Sequence, residues 1–237
     1  MRDMGAGTGT IAANLAAIRE RMERAASRAK RRVEEITLVG ISKGVAADRI
    51  REAFVAGVRH VGESRVQEWE SKAPHLEDLA ATWHLVGHLQ RNKAARAVAL
   101  FHAVDSLDSL PLAERLDRAA GDGRRMPVLL EVRLDLSGSK SGCDPEELPR
   151  LAEGMLLLPH LEWRGLMTVP PLAENLEQAR SAFRRLRELR DDLARRLDWP
   201  LPELSMGMSN DFEIAIEEGA TQIRVGTALF GARAAAP

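Results

Sequence analysis

Ile36-Thr37-Leu38-Val39-Gly40-Ile41-Ser42-Lys43 is the stretch that decides the fold. Six of these eight residues are apolar, β-branched or glycine, and no charge occurs before the last position. Such a run reads as a strand covered on both faces, the pattern of a parallel sheet. A helical stretch starts near Ala46, so Lys43 sits where the chain leaves the sheet. A lysine at the end of a covered strand is costly unless it is neutral, paired or covalently used. Lys43 is therefore the residue to explain.

The same alternation repeats along the chain. Ahead of the strand, Ile11, Leu15, Ile18, Met22 and Ala25 keep a helical spacing that closes on Arg28, Lys30, Arg31 and Arg32, while residues 1–10 read as frayed. The arginine run suits a solvated helix end that complements the dipole. After Lys43 come helices over Asp48–Val55 and Glu63–Lys72, with a strand at Val58–Gly62 between them. Strands at Thr82–Gly87 and Phe101–Asp105 alternate with helices at Asn92–Leu100 and Leu107–Ala120. A fifth strand, Pro127–Asp135, runs into the polar loop 136–142, and the helix behind it carries Pro145, Glu146 and Glu147 in its first turn. The sixth strand, Leu161–Val169, stops at Pro170-Pro171, and a charged helix spans Glu174–Leu197. Glu203–Met206 and Thr221–Gly226 are the seventh and eighth strands, separated by a helix from Ser209-Asn210 to Glu218.

Eight strands, each followed by helix-compatible sequence, argue for parallel βαβ units. In a chain of 237 residues they argue for a single (β/α)8 TIM barrel, residues 1–237, with one additional N-terminal helix. An open doubly wound sheet normally offers a glycine fingerprint after its first strand. Ser42-Lys43-Gly44 lacks it.

Composition narrows the function classes. A net charge of −1 and 4% aromatic residues give no case for nucleic acid. The arginines at 180, 184, 185, 187 and 190 are interleaved with Glu188, Asp191 and Asp192, as on a solvated barrel helix. No apolar run approaches a membrane span, and the single cysteine, Cys143, suits a reducing compartment, so a cytoplasmic location is expected. His84 and His88 are four apart but fall on a strand and its exit, without the acidic partner of a metal-binding helix. No metal site is expected.

Barrel active sites lie at the C-terminal ends of the strands, often with a phosphate site in the loops after the last two. Here those loops read Ser205-Met206-Gly207-Met208-Ser209-Asn210-Asp211 and Gly226-Thr227. Small residues there offer free N–H groups and hydroxyls to an anion; taken singly, Ser209 is as readily a helix cap and Gly226 a turn glycine. Arg224 either pairs with a buried acid such as Glu131 or Glu203 or points a permanent cation at the phosphate loops. Strand one neighbours strand eight in a closed barrel, so Lys43, Arg224 and the phosphate cradle converge. A lysine in such a setting suits a Schiff base with a phosphorylated aldehyde, and pyridoxal 5′-phosphate fits; aldolase-type lysines share the same parts.

Several stretches, in order, resemble the pyridoxal phosphate homeostasis proteins, relatives of the N-terminal barrel domain of alanine racemase. They are Leu38–Lys43, Val61-Gly62-Glu63 with Val66-Gln67-Glu68, Trp83–Lys93, Ser139–Gly142, Gly165–Pro170, Leu204–Ser209 and Arg224–Gly231. The resemblance implies that Lys43 carries pyridoxal 5′-phosphate as a Schiff base. It also implies that Ser209, Gly226 and Thr227 hold the phosphate and that Arg224 faces the pyridine nitrogen. One departure stands out: the family commonly shows Gly-Glu-Asn-Tyr where this chain has Gly62-Glu63-Ser64-Arg65. Ser64 replaces the missing amide only in part.

The chain has no tyrosine, which the resemblance makes informative, since alanine racemase pairs its lysine with a tyrosine from another domain. The resemblance therefore points to a non-catalytic carrier that buffers the cofactor or delivers it to apo-enzymes. The alternative is a racemase-like enzyme acting on amino acids, with His84, Lys93 or Cys143 as the second acid/base.

Overall fold

The alternation of apolar strands with amphipathic helices resolves, in the computed structural model, into a closed parallel barrel; residues 9–134, 141–170 and 176–232 are described. The strands close in chain order: β1 (Thr37–Ile41), β2 (His60–Glu63), β3 (Thr82–Leu85), β4 (Ala103–Leu107), β5 (Met126–Glu131), β6 (Leu161–Met167), β7 (Glu203–Ser205) and β8 (Gln222–Val225). β1 pairs with β2 on one side and β8 on the other, with Val39 opposite both His60 and Arg224. That register brings the exits of β1 and β8 to one side of the barrel mouth.

The helices cover the strands from outside. α1 (Ile11–Arg28) precedes β1, and α2 (Ala47–Ala56), α3 (Val66–Lys72), α4 (Ala94–Leu100), α5 (Leu110–Ala120), α6 (Leu148–Met155) and α7 (Leu176–Leu197) follow in sequence. α8 (Phe212–Glu217) precedes β8, and the short α9 (Thr227–Phe230) follows it. The spacing of Ile11, Leu15, Ile18, Met22 and Ala25 puts all five on the buried face of α1. Between β2 and β4 the wall is aromatic, with Trp69 and Trp83 stacked at 3.9 Å between centroids.

At the basic end of α1, Arg28, Lys30 and Arg32 are exposed, as expected of a solvated helix end, and Arg31 is half-buried. Arg31 donates to the carbonyls of Ile216 and Ala220, satisfying groups at the end of α8, and Arg28 pairs with Glu217 at 2.6 Å. On α7, Arg180, Arg184 and Arg187 converge on the buried Glu218. Both arginine runs tie their helices to α8 and the turn after it while staying partly exposed.

Several expected boundaries move. Glu63 and Leu107 belong to β2 and β4, and their helices start at Val66 and Leu110. Both are fully buried in the barrel wall, and this tertiary demand overrides their helix propensity. α6 starts at Leu148, so Pro145, Glu146 and Glu147 form a turn ahead of it. Of the frayed start, residues 1–8 lie outside the described residues, whereas Thr10 accepts from the Ala13 N–H and caps α1. Residues 135–140, which include most of the fifth polar loop with Ser139 and Lys140, also lie outside, as do residues 171–175. Among the described residues no helix is long and apolar enough to cross a membrane.

Candidate functional site

At the C-terminal end of the barrel a cavity of about 570 Å³ opens, a size suited to a small ligand. Its lining includes Lys43, Ser209, Arg224, Gly226 and Thr227, the five residues singled out in the sequence. Lys43 comes from the β1 exit, Ser209 from the β7–α8 loop, and Arg224, Gly226 and Thr227 from β8 and the start of α9. Ile41, Val45, Val86, Val169 and Phe230 supply apolar walls, and Ser64 forms part of the rim.

Lys43 does not carry the burial cost expected at the end of a covered strand. Ser42 is buried, but Lys43 is already exposed, so no burial cost needs to be met. Its distinction is the rigidity of the chain on either side. The Ser42 hydroxyl donates to Glu63 Oε1 at 2.7 Å, and Lys72 Nζ donates to the Ser42 carbonyl at 2.8 Å, to Glu63 at 2.6 Å and to Glu68 at 2.7 Å. Glu68 in turn accepts from the Gly44 N–H at 2.5 Å. Gly44 has φ of 70°, a left-handed conformation that glycine adopts without strain. The lysine is exposed, and the backbone on either side of it is held. Burial pushes the Glu63 carboxyl up, against the pull of Lys72 and Ser42. Among the described residues its Oε2 has no partner.

Arg224 is buried and makes neither of the ion pairs expected of a structural arginine. Its Nη1 donates to Ser205 Oγ at 2.6 Å and its Nη2 to the Thr168 carbonyl at 2.7 Å. Glu203 pairs with Arg164 instead, at 3.0 Å, and Glu131 acts on Arg224 only through space. Desolvation pushes the Glu131 carboxyl up to about 7 despite that attraction. Among the described residues, two of its five guanidinium donors are thus used.

The loops after β7 and β8 meet each other. Ser209 does not cap its own helix: its hydroxyl accepts from the Ala228 N–H of α9 at 3.3 Å. The loop is held by Asp211, whose Oδ1 accepts from the Met208 N–H at 2.6 Å. The N–H groups of Ser209, Asn210 and Thr227 have no acceptor among the described residues, and all three residues line the cavity. Exposed N–H donors beside two hydroxyls make an anion cradle. On the opposite rim, Gly87 lets the β2 and β3 exits touch, because an added Cβ stands 2.3 Å from the Ser64 carbonyl oxygen.

The alternative acid/base candidates lie elsewhere. His84 is buried inside the barrel, bonded to Asp105 and His60, each at 3.0 Å. His88 is on the surface with Asp108, so the two histidines do not share a site, and no metal-binding cluster occurs among the described residues. Cys143 is buried, its thiol pushed up to about 12 by desolvation, and Lys93 ends a short 3-10 turn outside the cavity. A second concavity of about 640 Å³ lies between that turn and α5, but it holds none of the expected site residues. Sequence reasoning missed Gln222 and Asp105, and it placed Ser205 in the anion loop rather than beneath Arg224, where the three form its support. Their only signal is a run of polar residues at inward-facing strand positions.

Residues 13–234 match the family model of the alanine racemase N-terminal domain. The pyridoxal phosphate homeostasis protein of Aquifex aeolicus is 45% identical over 220 residues, covering 92% of this chain and 96% of that protein. Its counterpart from Pseudomonas aeruginosa is 46% identical, covering 94% and 96%. Among solved structures, PipY of Synechococcus elongatus with PLP bound superposes with a TM-score of 0.81 at 42% identity, covering 93% of this chain and all of that one. Alanine racemase of Clostridium difficile, at 13% identity over 94% of this chain and 56% of that one, shares the fold with a TM-score of 0.73.

Proposed function

The chain belongs to the pyridoxal phosphate homeostasis protein family, and from that premise we propose that its barrel-mouth cavity binds pyridoxal 5′-phosphate in the service of intracellular vitamin B6 homeostasis. The observation that carries the proposal is the single cavity that gathers Lys43, Ser209, Arg224, Gly226 and Thr227, an amine, an anion cradle and a cation around apolar walls. These groups fit the cofactor's three polar ends. Lys43 Nζ is the nucleophile for the aldehyde, and the hydroxyls and N–H groups of Ser209 and Thr227, with the Gly226 turn, receive the phosphate. Arg224 faces the ring nitrogen. When bound, the cofactor would supply the aldehyde, which Lys43 would hold as a Schiff base with loss of water.

Arg224 governs what happens next. A permanent cation held beside the ring nitrogen disfavours its protonation, which leaves the ring a weak electron sink. Of the other titratable groups in the lining, Asp211 has its Oδ1 committed to the Met208 N–H, and the chain has no tyrosine to act opposite Lys43. We therefore read the protein as a carrier that buffers the cofactor or hands it to apo-enzymes. The one cysteine, free and buried, agrees with a cytoplasmic setting.

The test is transfer. Loaded protein is mixed with an apo-enzyme in the presence of a phosphatase that destroys free cofactor, and recovered activity is followed. Recovery supports the carrier reading, and failure to bind the cofactor at all defeats it. Stereospecific exchange of an amino acid's α-proton in heavy water at enzymatic rates would replace it with the racemase-like reading.

A further inference from the structure

Barrel interiors are normally filled by layers of apolar side chains. This one contains a continuous hydrogen-bonded chain. From β2, His60 Nδ1 lies 3.0 Å from His84 Nε2 on β3, and His84 Nδ1 lies 3.0 Å from Asp105 Oδ2 on β4. Across the barrel, Gln222 Nε2 on β8 donates to the same Asp105 oxygen at 2.6 Å and to Ser205 Oγ on β7 at 2.9 Å. Ser205 Oγ also accepts from Arg224 Nη1 at 2.6 Å, and the Thr168 carbonyl takes Nη2. Asp105, Ser205, Gln222 and Arg224 are all buried.

A buried polar network of this kind is seldom more stable than a packed apolar layer, so its presence needs another reason. The directions of donation supply one. Asp105 only accepts, so it fixes the face that the Gln222 amide turns towards it. Gln222 and Arg224 together fill both lone pairs of the Ser205 hydroxyl, which removes its rotational freedom. The planar guanidinium is then held at two points, one side chain and one carbonyl, and cannot swing.

We propose that Asp105 and Gln222, neither of which lines the cavity, are positioning residues for Arg224: through Ser205 they aim its remaining donors at the ring nitrogen of a ligand in the cavity. The inference rests on the pyridoxal phosphate reading above. A guanidinium so fixed offers N–H donors to an unprotonated ring nitrogen. A loosened one withdraws, and the nitrogen is then free to take a proton from water. The charged groups facing Arg224 are Asp105 from β4, Glu131 from β5 and Asp211 from the β7–α8 loop. Lys43 lines the same cavity. Behind Asp105 stand His84 and His60, with Glu203 and Arg164 acting on His84 from β7 and β6.

Gln222→Leu removes both donations at similar volume, and Ser205→Ala removes only the shared acceptor, so the second variant stands in if the first fails to fold. Trp163→Phe, which loses a buried bond to the Gly165 carbonyl outside the network, is the control for general destabilisation. Each protein is loaded with pyridoxal 5′-phosphate labelled with 15N in the ring, and the ring-nitrogen shift is followed between about pH 6 and 9. Affinity is measured by equilibrium dialysis and apo-protein stability by thermal melting. The wild type and Trp163→Phe should show a flat shift. Gln222→Leu and Ser205→Ala should show a titration, with affinity reduced about fivefold or more. A flat shift with affinity within about twofold of wild type in both variants overturns the inference. Failure of the wild type to bind the cofactor instead defeats the underlying reading.

Discussion

Ser209→Ala separates the two roles open to that hydroxyl. As a cap it accepts one bond, from the Ala228 N–H at 3.3 Å, long and partly solvated, so its loss costs at most about 0.5–1 kcal/mol of stability. As a phosphate ligand it makes a charge-assisted bond, whose loss costs about 1.5–3 kcal/mol of binding. With 1.4 kcal/mol corresponding to a factor of ten, the dissociation constant for pyridoxal 5′-phosphate should rise between about tenfold and a hundredfold. Apo-protein melting should fall by no more than about 4 °C. Equilibrium dialysis and differential scanning calorimetry on the same preparation read both. A melting temperature that drops while the dissociation constant stays within about twofold would refute the reasoning and return Ser209 to the role of a cap.

Gly87→Ala places a Cβ 2.3 Å from the Ser64 carbonyl oxygen and 2.8 Å from its Cα, atoms that no rotamer change can clear. It should destabilise the protein by about 1–3 kcal/mol and displace the Ser64 rim; an unchanged melting temperature would show that the contact is soft. Glu131, raised by burial from 4.5 to about 7, binds its proton more tightly when folded than unfolded. Its contribution is therefore present below about pH 4.5 and lost as pH rises to about 7, a change of about 3 kcal/mol. Denaturant titrations should show wild type losing stability relative to Glu131→Gln across that window, and a flat difference between the two contradicts the assignment. Glu218→Gln weakens the convergence of Arg180, Arg184 and Arg187 on α7. Because the arginines are partly exposed, the loss in a urea midpoint experiment should be modest, about 1 kcal/mol.

Much of the architecture was legible because hydrophobic period and count determine it. Eight apolar runs at intervals suited to intervening helices leave a closed barrel as the economical arrangement, and closure alone makes β8 the neighbour of β1. That five candidate residues share one cavity was legible for a related reason, since barrel mouths are built at strand exits and the loops after β7 and β8 carry small residues. The environment of each was not. Lys43 follows a buried serine and looks buried in a linear reading, yet it is exposed, on a backbone held by Glu63, Glu68 and Lys72. Arg224 could be assigned an acidic partner by composition, whereas its actual partners are a hydroxyl and a backbone carbonyl. A carbonyl leaves no trace in residue identity. Helix starts at Glu63 and Leu107 were misplaced because local propensity was weighed without the barrel wall that buries both residues. His84 was legible as a strand residue, but not its place in a network that crosses the interior to Arg224.

The central claim is that Lys43 anchors the cofactor at the barrel mouth, and covalent trapping tests it most directly. Protein loaded with pyridoxal 5′-phosphate is reduced with borohydride, digested, and mapped by mass spectrometry, with Lys43→Ala treated in parallel. One stoichiometric phosphopyridoxyl adduct on Lys43 and none in the variant is the expected result. A stoichiometric adduct on Lys72, Lys93 or any other amine, or full labelling of Lys43→Ala, would contradict it.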